Sequence, residues 1–423
     1  MHSCLSVEAA VTHRRCEPET LVARQDGQIA PVALFGILIA SAVLALMFNA
    51  SQKVTARSLV ANAADAAAYS GAVWTARHLN FMAYTNRAMI ANHAAVGHFV
   101  SYVSWIRYID DSVTYMDRVA QWIPYIGQYV DFVEQVAGEV RDATERAAHV
   151  AVPAIDEWNA IFRAAQLETQ ASLASGHLQD LMARTASAYD PAIRVNDDAD
   201  LGTMPPELRA MLEAQLIAQL ATVPAFIQRY AAGADRNSLQ ELVGVSLQGN
   251  ADLKHWISGE RGWRENLLAA QIRKRGWSTS MQGSSNADWK ASDDLQHRRR
   301  DVAGWKRWQR IGDQTSTASA SEFASDYAGV PAYYNLAGAP GSHALSIFAL
   351  ATLRQARVAT TALSGMSADA YPIVVAAVAR VEFRRPDAGA FTKLTGKRQE
   401  YANLFNPFWE AHLAPIESAL EHQ

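Results

Sequence analysis

At 423 residues, 50% hydrophobic and 19% charged, the chain is long enough for roughly two or three packed domains and too polar to be a multi-spanning membrane protein. A formal net charge of -4 gives no whole-molecule field that would draw nucleic acid or an anionic surface. The only cysteines, Cys4 and Cys16, lie before residue 29, so the rest of the chain can hold no disulfide framework, cysteine-based zinc site or cysteine nucleophile.

Residues 1–28 show no periodicity and read as a short cytoplasmic tail. Residues 29–48 carry no charge, and Ile29, Pro31, Leu34, Phe35, Ile37, Leu38, Leu44, Leu46 and Phe48 are the expected membrane anchor. As a helix this stretch spans about 30 Å, the thickness of a bilayer's hydrocarbon core. Arg14, Arg15 and Arg24 before it, against Lys53 and Arg57 after it, point to a cytoplasmic N-terminus and an exported body. The competing reading, a cleaved signal peptide, expects a shorter apolar core and a small residue where Phe48 stands.

An alanine-rich helix follows with no linker, and no proline occurs between Val32 and Ile123. Val96, Val100, Val103, Ile106, Ile109, Val113, Met116 and Val119 recur at steps of three and four, the stripe of an amphipathic helix that packs on a partner. Pro124 is the expected break. A second stripe, Ile126, Tyr129, Val133, Val136 and Val140, should end before Pro153. A third helix over 155–189 carries Trp158, Ile161, Phe162 and Leu181 and stops at Asp190-Pro191. After an acidic loop at 196–206, a fourth helix is expected over 207–232. Residues 49–233 are therefore expected to form a helical region beyond the anchor, on the exported side.

Beyond residue 233 the composition shifts. Trp256, Trp263, Trp277, Trp289, Trp305 and Trp308 cluster, and Arg261-Gly262-Trp263 echoes Arg275-Gly276-Trp277 as if both began strands. Ala379, Val381 and Phe383 alternate with Arg380, Glu382 and Arg384, as in a half-buried strand. The apolar run at 344–353 fits strand or helix. Residues 234–423 are expected to form an α+β domain with an antiparallel sheet, so the whole chain is α+β with a single membrane helix.

Searches for chemistry fail. The sequence lacks a G-x-S-x-G elbow, an H-E-x-x-H pair, a Walker A loop and a G-x-G-x-x-G turn, so no catalytic, cofactor or metal residues are expected. His93 and His98, five apart, fall on different helix faces. Asn196, Asp198, Asp200 and Glu207 approach an EF-hand spacing, but Gly202 is one place late and Pro205-Pro206 stiffens the end, so a plain turn is the simpler reading. The basic residues among the tryptophans fit a solvated sheet face, a protein or membrane contact, or single-stranded nucleic acid, of which nucleic acid is not expected. Asn62, Asp65, Asn80, Asn86, Arg87, Asn92 and His93 interrupt the alanine-rich helix either as ordinary polar positions or as the markers of a specified helix–helix surface.

Gly27 and Gln28, the apolar run, Arg57, Asn62, Ala63, Ala64, Asp65 and Gly71 resemble the N-terminal signature of the TadE/TadG-like proteins of the tight-adherence (Flp-type) pilus assembly system. The stretches 74–87, 329–334 and 403–409 resemble a TadG-related subgroup. The resemblance is dense over about residues 25–95 and thin elsewhere. It implies a single-pass inner-membrane protein with a periplasmic body that acts with other pilus-assembly or secretion subunits; apart from the resemblance, the apolar stripes of the helical region could also serve a homo-oligomer. Two features depart from it. Val32 stands where processed pilin-like members have glutamate, and Asp110-Asp111-Ser112 does not match the metal site of the von Willebrand A module of longer relatives. The expected function is a non-enzymatic assembly component. The alternative is a membrane-anchored periplasmic enzyme or ligand-binding protein with its site in the tryptophan-rich half.

Overall fold

One helix organises the architecture. A computed structural model describes residues 29–120, 127–174, 176–197, 206, 210, 223–229, 261–267, 270–282, 287–311, 315–330, 344–354, 372–384 and 402–416. Helix α1, Ile29–Ala120, runs for 92 residues without a break, about 138 Å at 1.5 Å per residue. Its one proline, Pro31, sits in the first turn, where no intrahelical N–H is lost.

The two parts of α1 have opposite surroundings. Around residues 29–48 the helix is uncovered among the described residues: Leu34 is 68% exposed and Leu44 66%. That stretch, with a mean hydropathy of 2.6 over its most apolar window, is long and apolar enough to cross a membrane. From Val60 onward one face disappears into the body. Val60, Ala63, Ala64, Ala67, Ala68 and Ala72 are fully buried. These small side chains let other backbones come close. At Gly71 a Cβ would already press on Ile347, Leu178 and Met182 at 3.1 Å.

Helix α2, Gly127–Ala174, folds back antiparallel to α1. Arg107 pairs with Glu145, Asp110 with Arg141, Asn92 with Asn159, and Gln166 Nε2 donates to Asn86 Oδ1. Contrary to the sequence expectation, Pro153 does not separate two helices but lies inside α2. A proline there costs about 3 kcal/mol, and the burial of Ala148 and Val152 beside it offsets that. The third expected helix is thus the second half of α2, followed by helix α3, His177–Ser187. A turn at Asp190-Pro191 stops α3 as expected. The second stripe is not a buried one: Val133, Val136 and Val140 are all exposed. Of the fourth expected helix, residues 223–229 are helical and most of the remainder lies outside the described residues, as does Trp256.

Two antiparallel sheets clasp α1. The first has the order β1-β8-β9-β10, with β1 Ile193–Val195, β8 Ala344–Leu353, β9 Ile373–Phe383 and β10 Trp409–Ala414. Strand β1 comes from the region expected to be helical and pairs with β8, so one sheet draws strands from both sides of residue 233. The apolar run at 344–353 is a strand, and β9 carries the alternation expected of it: Ala379 and Val381 are buried while Arg380 and Glu382 are partly exposed. The second sheet is built on a long hairpin, β3 Ala270–Gln282 and β4 Ala287–Asp301. Strand β2, Trp263–Leu267, pairs with β3, and the short strands β5 Gly304–Trp305, β6 Gln309–Arg310 and β7 Ser316–Ser319 pair with β4. A single-turn helix α4, Ala320–Phe323, follows. The repeated tripeptides are not equivalent: Arg261-Gly262-Trp263 leads into β2, whereas Arg275-Gly276-Trp277 lies in the middle of β3. The class is α+β, with the main core around α1 and a small second cluster, Phe348, Leu350 and Val378, on the first sheet.

Candidate functional site: a latched spine and its arginine–tryptophan face

Polar side chains of α1 are not spread at random over its surface. Asn80 forms two bonds with one backbone unit: its Nδ2 donates to Trp409 O at 2.9 Å and its Oδ1 accepts from Trp409 N at 3.0 Å. Asn86 Nδ2 donates to Leu404 O at 2.7 Å, while Arg87 donates from Nε to Phe405 O and from Nη2 to Asn406 Oδ1 at 2.6 Å. The receiving segment is pre-shaped by Asn403, whose Oδ1 accepts from the N–H groups of Phe405 and Asn406. Trp409 closes the latch, 2% exposed and edge-on to Phe226 and Phe383. The stretches 74–87 and 403–409, separate in sequence, are therefore two halves of one contact.

Further along α1 the partner is the second sheet. His93 is fully buried, with Nδ1 2.8 Å from Tyr327 Oη and Nε2 2.8 Å from Ser280 Oγ. Burial pulls its pKa down to about 3, so it is held neutral. Gly97 faces the indole of Trp289, whose Nε1 donates to His93 O at 2.7 Å. Ser101 meets Ser278 at 2.7 Å, and Ser104 donates to Asp293 Oδ2 at 2.7 Å. Residues 93, 97, 101 and 104 recur at the helical period, so one face of α1 reads the inward side of β3 and β4.

Asp293 is the centre of a buried charge cluster. Lys274 Nζ lies 2.6 Å from its Oδ1 and Arg261 Nη2 2.7 Å from its Oδ2, with all three side chains at 4% exposure or less. Gly276 lies opposite Asp293 across the hairpin, and a Cβ there would collide with the carboxylate. Burial lowers the pKa of Lys274, and its hydrogen bond to Asp293 opposes that shift. A cluster this closed is a structural lock between strands and helix.

The outward side of the same hairpin is different. Arg264 and Arg273 are direct cross-strand partners, and Gln296 of β4 is partnered by Arg273 on one side and Arg310 on the other. The guanidinium carbons of Arg273, Arg298 and Arg264 lie 4.1, 4.7 and 5.6 Å from the ring centre of Trp308. Arg298 and Arg300 also lie over Trp305, which is 38% exposed. Of the clustered tryptophans among the described residues only Trp289 is core; Trp263 and Trp277 are nearly half exposed.

The residues singled out in sequence are placed as follows. Gly27 and Gln28 lie outside the described residues. Arg57, Asn62 and Asp65 are exposed, and Ala63, Ala64 and Gly71 are buried on the body side. Asn62 lines a hollow of about 520 Å³ with Ser51, Thr55, Asp190 and Leu353, just above the uncovered part of α1. Val96, Val100, Val103 and Ile106 are buried within this chain's own core, and Ile109 and Val113 are half-buried. Expected to pack on a partner, that stripe is already covered by this chain. Met116 and Val119 lie in α1, but their side chains are outside the described set.

Asn196 adopts a positive φ of 54° and spends its carboxamide on Leu350 N, Gln179 and Phe348 O, which ties β1 to β8. Asp198 and Asp200 of the acidic loop lie outside the described residues. Among the described residues no three His, Cys, Asp or Glu side chains are grouped as a metal site. Of Trp256, Trp263 and Trp289, around which an enzyme's pocket would be sought, Trp256 lies outside the described residues, Trp263 is exposed and Trp289 lies in the core. Comparison with known proteins returns no matching family model, no matching curated protein and no matching solved structure.

Proposed function

We propose that the chain is a non-enzymatic, membrane-anchored component of a Flp-type pilus assembly system, facing the periplasm and working through protein contacts. The observation that carries this reading is the continuity of α1. The uncovered apolar stretch and the spine of the folded body are one helix, with no hinge between a membrane segment and the part that would meet other subunits. An enzyme tethered to a membrane has no need of such coupling, whereas an assembly component that must hold position against a growing fibre does. The pilus assignment itself rests on the resemblance at residues 25–95 and at 403–409. The latch between Asn80, Asn86, Arg87 and residues 404–409 supports it, because it gives those residue types a shared purpose.

With the stripe at 96–106 consumed internally, contacts with other subunits or a second copy fall to outer surfaces. Val133, Val136 and Val140 on α2 form such an apolar strip. The test is deletion in the native host, with the major pilin blotted in whole cells and in the sheared surface fraction. Pilin retained in cells but missing from the sheared fraction is the expected result. Normal amounts in both fractions remove the pilus role. Separately, deletion of residues 29–48 should move the protein from the membrane to the soluble fraction.

A further inference from the structure

The outer face of the β3–β4 hairpin is built at an electrostatic cost. Over residues 261–311 lysines and arginines outnumber aspartates and glutamates more than two to one. Like charges directly opposite on neighbouring strands are destabilising, yet Arg264 faces Arg273 across β2 and β3, and Arg298 joins them over the same indole. The hydrogen-bond partners that hold these guanidiniums are neutral amides: Arg273 donates to Gln296 Oε1 from Nε and Nη2, and Arg298 donates from Nε to Gln271 Oε1. Asp294, at the side of the group, is 3.9 Å from Arg310 and accepts from Gln296. Burial and then the nearby Arg275 and Arg264 depress the pKa of Arg273, the mark of crowded positive charge.

Stacking settles which donors are left. A guanidinium lying over an indole uses its face; Arg273 spends its Nε and one Nη2 hydrogen on Gln296 and Arg298 its Nε on Gln271, bonds that do not use the Nη1–Nη2 end, which can grip a carboxylate in two-pronged fashion. We infer that the outer face of the second sheet around Trp308 is a docking surface for an acidic protein segment, whose carboxylates pair with the guanidinium edges of Arg264, Arg273 and Arg298. Base stacking, on which single-stranded nucleic acid depends, finds the Trp305 and Trp308 rings already occupied by arginine. Lipid headgroups of the anchoring bilayer are out of reach, because Ser104, which binds this sheet, stands about 80 Å along α1 from Phe48. That exclusion rests on the anchored reading above; the charge argument does not.

The test uses the full chain in phosphatidylcholine nanodiscs with fluorescent poly-L-glutamate as probe. Saturable binding that weakens with salt is expected, with affinity falling about tenfold in Arg273→Gln/Arg298→Gln and severalfold in Arg273→Lys/Arg298→Lys, which keep the charge but lose the fork. Should the glutamine pair lose its native circular dichroism, the exposed Arg264→Gln alone should weaken binding about threefold. Absence of saturable binding, or equal affinity in the folded glutamine variant, overturns the proposal. So does tighter binding of an oligothymidylate of matched charge, or of phosphatidylglycerol vesicles, than of polyglutamate. Failure of the host deletion test would leave this result standing, since it concerns the surface and not the pilus.

Discussion

Replacing Gly97 with alanine tests the contact on which the second sheet is seated. An alanine Cβ at this position would lie 2.5 Å from Trp289 Cε2 and 2.7 Å from Cδ2 and Cζ2, where carbon atoms rest comfortably at about 3.5–4.0 Å. The ring would have to retreat by about 1 Å, but it is 2% exposed and pinned by its 2.7 Å bond to His93 O. Overpacking of this kind costs about 1–3 kcal/mol, and loss of the indole hydrogen bond adds about 1 kcal/mol. The gain in helix propensity from glycine to alanine returns about 1 kcal/mol. A net loss of about 2 kcal/mol is expected, read from tryptophan fluorescence during chemical denaturation of the full chain in detergent. Gly138→Ala is the internal control, because among the described residues its Cβ meets only Asp110 Oδ1 at an ordinary 3.8 Å. It should raise stability by up to about 1 kcal/mol. If Gly97→Ala proves as stable as Gly138→Ala, α1 is not seated on Trp289 as described.

Two further perturbations address the polar contacts. His93, held neutral with a pKa of about 3, contributes stability that is fully present above pH 6.5 and is lost as pH falls toward 3, because the unfolded chain takes up the proton first. At pH 5 the loss is about 2 kcal/mol; His93→Gln should flatten this part of the pH–stability curve, and equal slopes for both proteins would refute the assignment. Asp293→Ala removes the buried carboxylate that Arg261 and Lys274 share and should cost about 3–5 kcal/mol. A denaturation midpoint unchanged from that of the parent would show that the cluster is hydrated and not a lock.

What could be read in the sequence was whatever declared itself by period. The uncharged run at 29–48, the stripe at 96–119 and the alternation at 379–384 each follow one repeat over several turns or pleats, and each belongs to the element type expected. The hairpin of β3 and β4 carried no such signal. Its inward side holds Lys274, Ser278, Ser280 and Asp293, polar groups satisfied by α1 or by one another, so hydrophobic alternation is missing from the longest strands among the described residues. The stripe was legible as a buried face but not as an internally buried one, because its period carries no mark of whether the covering elements belong to the same chain. The break expected at Pro153 failed for a related reason: local propensity favoured an end, and packing against α1 outweighed it. Asn80, Asn86 and Arg87 stood out in sequence as oddities, and their partners at 404–409 stood out too. No rule of spacing connects residues more than three hundred positions apart.

The latch and the two sheets also determine how the anchor relates to the arginine–tryptophan face. Shifting α1 by one residue relative to its surroundings would rotate every side chain by about 100°. Asn80, Asn86 and Arg87 would then miss the carbonyls at 404–409, His93 would miss Ser280 and Tyr327, and Ser104 would miss Asp293. Alanine and valine packing alone would tolerate such a slip far better, since neighbouring apolar positions are nearly interchangeable in volume. The polar contacts therefore select one register where hydrophobic burial supplies most of the stability. Because the same uninterrupted helix emerges as the uncovered apolar stretch, a fixed register sets the height and rotation of the basic face above whatever holds residues 29–48. A docking surface needs both quantities fixed to present its guanidiniums to the same partner each time. The buried asparagines of the spine, and the charges that meet it from the second sheet, then serve geometry more than stability.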